Sequence, residues 1–288
     1  MRVCVVGGGA GGVELAAAVR YRLEEERRRS GWSTDRASAA VSLLCRGDLL
    51  PGHPPHVRRL VRQLLAQRGV EVRSGDAVTG VRPRELLLHS GERVPYDECL
   101  WCTEASPAPW LSQTGLPTDP LGFLSINDKL QSDGGPPEVF ASGDVATCSS
   151  SPRPKAGVFA VRQGPPLTHN LRAFLDEEPL RPFVPQTTAL ALISLGDRFC
   201  VASRTGVSGG SRPTRRRPGG RERARGGHSA GRRSDAVEEE GDEWLLGWIL
   251  NGLGGLFINV TGPLLWRWKD TIDRAFMRRY GEDLQAST

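Results

Sequence analysis

At 288 residues the chain has room for one large or two ordinary domains, enough to bury a real core. The formal net charge of +5 is unevenly spread. Residues 204–233 hold ten Arg and one Glu, so that stretch carries +9 and leaves −4 on the rest, which excludes a basic folded body. Six cysteines are too few for a disulfide scaffold at this length and point to a reducing compartment.

Arg2–Val6 is an apolar, β-branched run of the kind that forms a buried parallel strand. Met1 precedes it directly, so no signal peptide is expected. A glycine loop leads into a helix from about Gly12 to Arg29, and Val41–Cys45 is a second strand. Apolar residues at 57, 60, 61, 64 and 65 predict a helix over His56–Arg68, followed by a strand at Val70–Arg73. Residues 77–81, 85–89 and 93–95 read as an antiparallel excursion with a Ser90-Gly91 turn, and Glu98–Thr103 as a closing strand. This order defines an α/β, Rossmann-like three-layer nucleotide-binding domain over 1–104.

Residues 105–185 are Pro- and Gly-punctuated, with a short strand at Val139–Ala141 running into Gly143-Asp144. A helix over Ala156–Leu175 is expected to break or start at Gly164-Pro165-Pro166. Residues 186–204 and 244–288 form a small C-terminal α+β region. It comprises a hairpin across Gly196-Asp197, an uncharged apolar run at Trp244–Trp266 and a charged amphipathic helix at Trp268–Tyr280. The intervening 205–243, Arg/Gly-rich and then acidic, lacks the apolar content to order itself.

The chemistry concentrates in Gly7-x-Gly9-x-x-Gly12, placed after a strand and at the start of a helix. There Gly7 makes the tight turn, Gly9 admits a pyrophosphate to the backbone, and Gly12 lets helix and strand pack closely. The end of the second strand, where an acid would meet the ribose hydroxyls of NADH, holds Cys45-Arg46 instead. Arg46 has two readings, a 2′-phosphate contact or a solvated surface arginine. Glu14 also has two, a place near a nicotinamide or a partner to the helix dipole. Cys99-Leu100-Trp101-Cys102 is a C-x-x-C in a strand, where positions i and i+3 face opposite ways, which opposes a disulfide between them. The five histidines show no metal spacing, and no catalytic triad can be assembled, so no catalytic or metal residue is assigned.

Together these motifs resemble the pyridine nucleotide–disulfide oxidoreductase superfamily. The Gly7 loop with Val13-Glu14-Leu15-Ala16 is similar to its NAD(P)H-binding motif, and Val139–Ala146 to its late flavin motif. The likeness is nearest to the type II NADH dehydrogenase-like branch and, within it, to the flavoprotein module fused to selenide, water dikinase. Leu49–His53, Pro154–Pro165 and Trp266–Met277 carry that narrower resemblance. The resemblance implies FAD and NAD(P)H as cofactors, an FAD-binding half over 105–185, and Gly143, Asp144, Lys155 and Ala156 beside the flavin. Glu104 stands where the family often has a glycine, and only one glycine loop is present where family members have two. An upstream half or a fused kinase domain is therefore a possible missing partner.

The implied function is an NAD(P)H-dependent FAD-containing oxidoreductase that passes electrons to a quinone-like acceptor. The alternative is a non-catalytic nucleotide-binding remnant or interaction module. A cytoplasmic or organellar protein, soluble or peripherally bound to a membrane through 244–280, is expected. Nucleic-acid binding is not expected, because the Arg-rich stretch has no aromatic residue for stacking.

Overall fold

The computed structural model describes residues 1–30, 39–186, 188–206 and 261–285. Four parallel strands form the main sheet: β1 (Arg2–Val6), β2 (Ala40–Cys45), β3 (Val70–Ser74) and β7 (Glu98–Trp101), in the order β3-β2-β1-β7. Helices α1 (Ala10–Arg29) and α2 (Pro55–Gln67) make the crossovers. The central strand β1 buries every residue after Arg2, as a parallel strand covered on both faces must. On α1 the buried residues are small, Gly12, Val13, Ala16 and Ala17, so the helix lies close to the sheet. Helix α2 buries Val57, Val61 and Leu65, one stripe at a spacing of four, and Pro55 suits its first turn.

A separate antiparallel sheet of β4 (Val78–Arg82), β5 (Glu85–Leu88) and β6 (Arg93–Pro95) covers part of the main sheet. Leu86, Leu88 and Val94 pack there with Cys4, Val6 and Leu44. The turn between β5 and β6 places Gly91 at φ 88°, where the Ser90-Gly91 reading put it.

Residues 105–185 contain β8 (Leu124–Ile126), β9 (Ala146–Cys148) and α3 (Gly157–Leu175), with a second core of Leu111, Ile126, Leu130 and neighbours. Two expectations are corrected here. Val139–Ala141 is not a strand; Phe140 makes only an isolated bridge to Gln131, and the paired segment is Ala146–Cys148, parallel to β8. Helix α3 is continuous through Pro165 and Pro166. Those prolines leave the carbonyls of Val161 and Arg162 without helical donors, and both residues are exposed, so water can satisfy them.

The C-terminal hairpin of β10 (Thr188–Ser194) and β11 (Cys200–Gly206), with β12 (Thr261–Gly262), forms the last sheet. Its residues Ile193, Leu195 and Val201 enter the same core as Val5, Val13 and Leu43. The final helix, α4 (Pro263–Gln285), starts earlier than expected, and Trp266 stacks near Arg198 at 5.9 Å. Most of the predicted 205–243 insert and residues 244–260 of the apolar run lie outside the described residues. Among the described residues no helix is long and apolar enough to cross a membrane.

Candidate functional site

The glycine loop is tight because two of its glycines sit against backbone. A Cβ on Gly7, at φ +136°, would lie 2.0 Å from the Cys102 carbonyl oxygen, and one on Gly12 would lie 1.9 Å from the Gly7 carbonyl oxygen. Hydrogen bonds fix the turn on both sides: Gly7 N–H donates to Leu44 O at 2.9 Å, and Cys102 N–H donates to Val6 O at 2.8 Å. Gly9 differs. A Cβ there would meet nothing within 4 Å, so its outer side is open space. Gly9 is the N-cap of α1, and no side chain caps that helix. Its first-turn N–H groups and the positive end of its dipole therefore stand open beside Gly9, the arrangement that receives a phosphate. These residues fit a dinucleotide pyrophosphate.

Cys45 ends β2 as a buried thiol, and burial raises its pKa above the ordinary 9.0, so it stays uncharged. Arg46 is exposed in the turn that follows. Glu14, one residue beyond the first turn of α1, is half-buried and accepts the Ser194 N–H at 2.8 Å. Burial raises its pKa, while the Ser194 hydrogen bond and the charge of Lys269 act the other way. Its observed partner is thus the C-terminal hairpin. Cys99 and Cys102 are free thiols. Cys99 lies in register with Cys4 across β1 and β7, and the Cys102 sulfur packs 3.3 Å from where a Cβ on Gly11 would stand.

The second cluster gathers around a cleft lined by Gly143, Asp144, Thr147, Lys155, Ala156 and Gln163, among others. Asp144 is exposed in the turn Gly143–Val145, with its carboxylate free to accept from hydroxyls. Gly143 takes φ 69°, and its N–H donates to the buried Gln163 Oε1 at 2.6 Å. Lys155 Nζ donates to Thr147 Oγ1 at 3.0 Å and to Ala146 O, and sits 4.0 Å over the Phe123 ring. Burial lowers its pKa, against the charges of Asp119 and Asp144. Lys155 thus braces the floor of the cleft. Ala156 is the N-cap of α3, again without a side-chain cap, so a second open helix N-terminus borders this cleft. The open carboxylate and uncapped helix suit the hydroxyls and phosphate of a flavin cofactor, although one backbone donor is already taken by Gln163.

Of the residues singled out in the sequence, the structure brings Gly7, Gly9 and Gly12 together at the loop and Gly143, Asp144, Lys155 and Ala156 together at the cleft, while Glu14 turns to the C-terminal hairpin and Arg46 lies exposed after β2. The sequence did not single out Gln163, whose Oε1 accepts the Gly143 N–H, or the ion-paired group in which Asp48 Oδ2 accepts from Arg58 Nη1 at 2.6 Å and Asp48 Oδ1 lies 3.8 Å from Arg62 Nη2. The spacing of Arg58 and Arg62, one turn apart on α2, was the available signal for the latter.

His53 ties this region to the C-terminal hairpin: its Nδ1 lies 2.7 Å from the buried Ser203 Oγ. Burial lowers its pKa from 6.5. The folded state therefore prefers neutral imidazole. The stability this contributes is present above pH 6.5 and is lost as pH falls through the lowered value. Thermal unfolding midpoints should fall on acidification through this window, and His53→Asn should flatten that slope. An unaltered slope in the variant would remove His53 as its source.

A parallel sheet wound on a glycine loop, with a second cleft formed around Gly143, Asp144 and Lys155, defines a Rossmann-type α/β fold. Residues 1–168 match the family model for pyridine nucleotide-disulphide oxidoreductases, and the chain belongs to that family. It is 33% identical over 152 residues to an NADH dehydrogenase-like protein of Mycobacterium tuberculosis, covering 50% of this chain and 35% of that one. It is 26% identical over 217 residues to the type II NADH:quinone oxidoreductase of Haemophilus influenzae, covering 73% and 48%. Demethylphylloquinone reductase NdbB of Synechocystis is 28% identical over 214 residues, covering 72% and 50%. The chain therefore spans from about a third to half the length of these curated relatives. The fold is similar to that of Plasmodium falciparum NDH2 in complex with NADH, with a TM-score of 0.60 at 15% identity, covering 71% of this chain and 58% of that one. These relatives carry the type II dehydrogenase likeness and not the narrower one to the kinase-fused module.

Proposed function

We propose that this chain is an NAD(P)H-dependent flavoprotein oxidoreductase that passes electrons to a quinone-like acceptor. The carrying observation is the open Gly9 position beside an uncapped helix, with the Asp144 cleft built by the same chain. The first-turn N–H groups of α1 would hold the pyrophosphate, and Asp144 would accept from flavin hydroxyls. A bound flavin supplies the hydride-accepting chemistry. The protein's part is to bind, orient and exclude water; no side chain is required as acid or base. The quinone acceptors named for the Haemophilus and Synechocystis relatives support that acceptor class here.

The test is uptake of added FAD, followed by its absorption, and then anaerobic bleaching of the bound flavin by NADH or NADPH. Asp144→Ala should weaken FAD binding by about tenfold, the size of one charge-assisted hydrogen bond, with NAD(P)H affinity unchanged. Equal loss of both would assign Asp144 to the fold. A second reading, a nucleotide-binding module without turnover, is favoured by one observation: the Gly143 N–H is already engaged by Gln163. NAD(P)H binding without FAD uptake would select it.

A further inference from the structure

We propose that the dinucleotide at the glycine loop is the 2′-phosphorylated one, NADPH in preference to NADH, and that Arg46 reads the 2′-phosphate. This rests on the reading of Gly7–Gly12 as a pyrophosphate site and goes beyond it. In a Rossmann unit the adenosine ribose lies at the end of the second strand. An acid there accepts from the 2′-hydroxyl of NADH, whereas an arginine accommodates a 2′-phosphate.

The turn after β2 lies against the glycine loop. A Cβ on Gly8 would be 2.8 Å from Cys45 Sγ and 3.4 Å from Asp48 O, and the Leu50 N–H donates to Gly8 O at 2.7 Å. Cys45 offers a neutral thiol there. Asp48 is the single carboxylate of the turn, and it is committed elsewhere. Its Oδ2 accepts from Arg58 Nη1 at 2.6 Å, and its Oδ1 lies 3.8 Å from Arg62 Nη2. The same Arg62 nitrogen donates to Ser74 Oγ at 2.9 Å, which fixes it on the end of β3. Three arginines thus stand against one carboxylate. Arg46 is exposed and makes no hydrogen bond or ion pair among the described residues. A Cβ on Gly47 would meet nothing within 4 Å, so the turn leaves room beside Arg46.

The balance of donors and acceptors decides the ligand. A guanidinium only donates; a hydroxyl gives it one neutral acceptor, whereas a phosphate gives it several charged oxygens in bidentate geometry. The carboxylate that a 2′-hydroxyl would donate to is already held by two guanidiniums. Asp48 opposes a phosphate by its own charge, but Arg58 and Arg62 offset it and leave Arg46 in excess.

The experiment compares equilibrium binding of NADPH and NADH to the full chain by calorimetry. Adenosine 2′,5′-bisphosphate and adenosine 5′-monophosphate serve as probes that differ only in the 2′-phosphate. The phosphorylated member of each pair should bind about tenfold or more tightly, as one charge-assisted contact predicts, and the ratio should shrink with added salt. Arg46→Glu should reverse the preference, and Asp48→Asn should increase it. Equal affinities within both pairs, or tighter NADH, would overturn the proposal while leaving the glycine-loop site intact. Binding of none of the four would overturn the glycine-loop reading itself. The comparison in the unaltered protein needs no variant, so misfolding of Arg46→Glu cannot mask the result.

Discussion

Gly9→Asp should abolish dinucleotide binding and leave the fold as stable as before. Gly9 has φ −74° and ψ 179°, a conformation open to any residue, and a Cβ there meets nothing within 4 Å. It is also the N-cap of α1, where aspartate is among the preferred residues, so stability should hold or rise by a few tenths of a kcal/mol. The same carboxylate would occupy the space of the pyrophosphate and repel it. Like charges brought together in this way cost several kcal/mol, so NAD(P)H affinity should fall about a hundredfold or more. Calorimetric binding measured alongside thermal unfolding separates the two effects. Undiminished affinity in a folded variant would sink the assignment of this loop.

Gly12→Ala should do the opposite and damage the fold first. Its new methyl would stand 1.9 Å from the Gly7 carbonyl oxygen and 2.9 Å from the Gly7 carbonyl carbon, both backbone atoms that are themselves pinned. The Gly7 turn cannot yield, because Gly7 N–H is bonded to Leu44 and a neighbouring peptide, at Cys102, closes the other side. Helix α1 must therefore lift from β1 and open the shared core around Val13 and Leu43. A cost of about 3–5 kcal/mol is expected, equivalent to a fall of roughly 10 °C in unfolding midpoint. A midpoint unchanged by this substitution would mean that the loop is looser than its contacts require. Comparing the Gly9 and Gly12 variants distinguishes a glycine kept for a ligand from one kept for the chain's own packing.

The glycine loop and the main sheet were legible in the sequence because their signals are local: a β-branched run, a fixed glycine spacing and an amphipathic stripe on α2. The cluster around Asp144 and Lys155 was legible only through resemblance, since nothing in their spacing places them around one cleft. Ala146–Cys148 escaped because a three-residue strand is too short for alternation to register, while the more apolar Val139–Ala141 offered a false run. Pro165-Pro166 misled in the other direction. Their cost depends on whether the orphaned carbonyls reach water, which is set by the exposure of Val161 and Arg162 and is invisible along the chain. Glu14 meets Ser194 across 180 positions, and local reasoning offered only a nicotinamide or a dipole.

The C-terminal hairpin has a consequence for where this protein can be divided. Ile193, Leu195 and Val201 belong to the core that also holds β1, and Gly196 packs so closely on α1 that a Cβ there would lie 2.6 Å from the Ala17 carbonyl oxygen. Arg68 of the α2 terminus grips Asp197 with two hydrogen bonds, at 2.8 and 3.1 Å. The unit that carries the glycine loop is therefore discontinuous in sequence: its last wall is supplied by residues that follow the whole 105–185 segment. A fragment ending before the hairpin would expose the outer face of α1, the helix whose first turn frames the cofactor loop. The geometry of the glycine loop and the integrity of the chain's distant end are thereby joined in one packed unit.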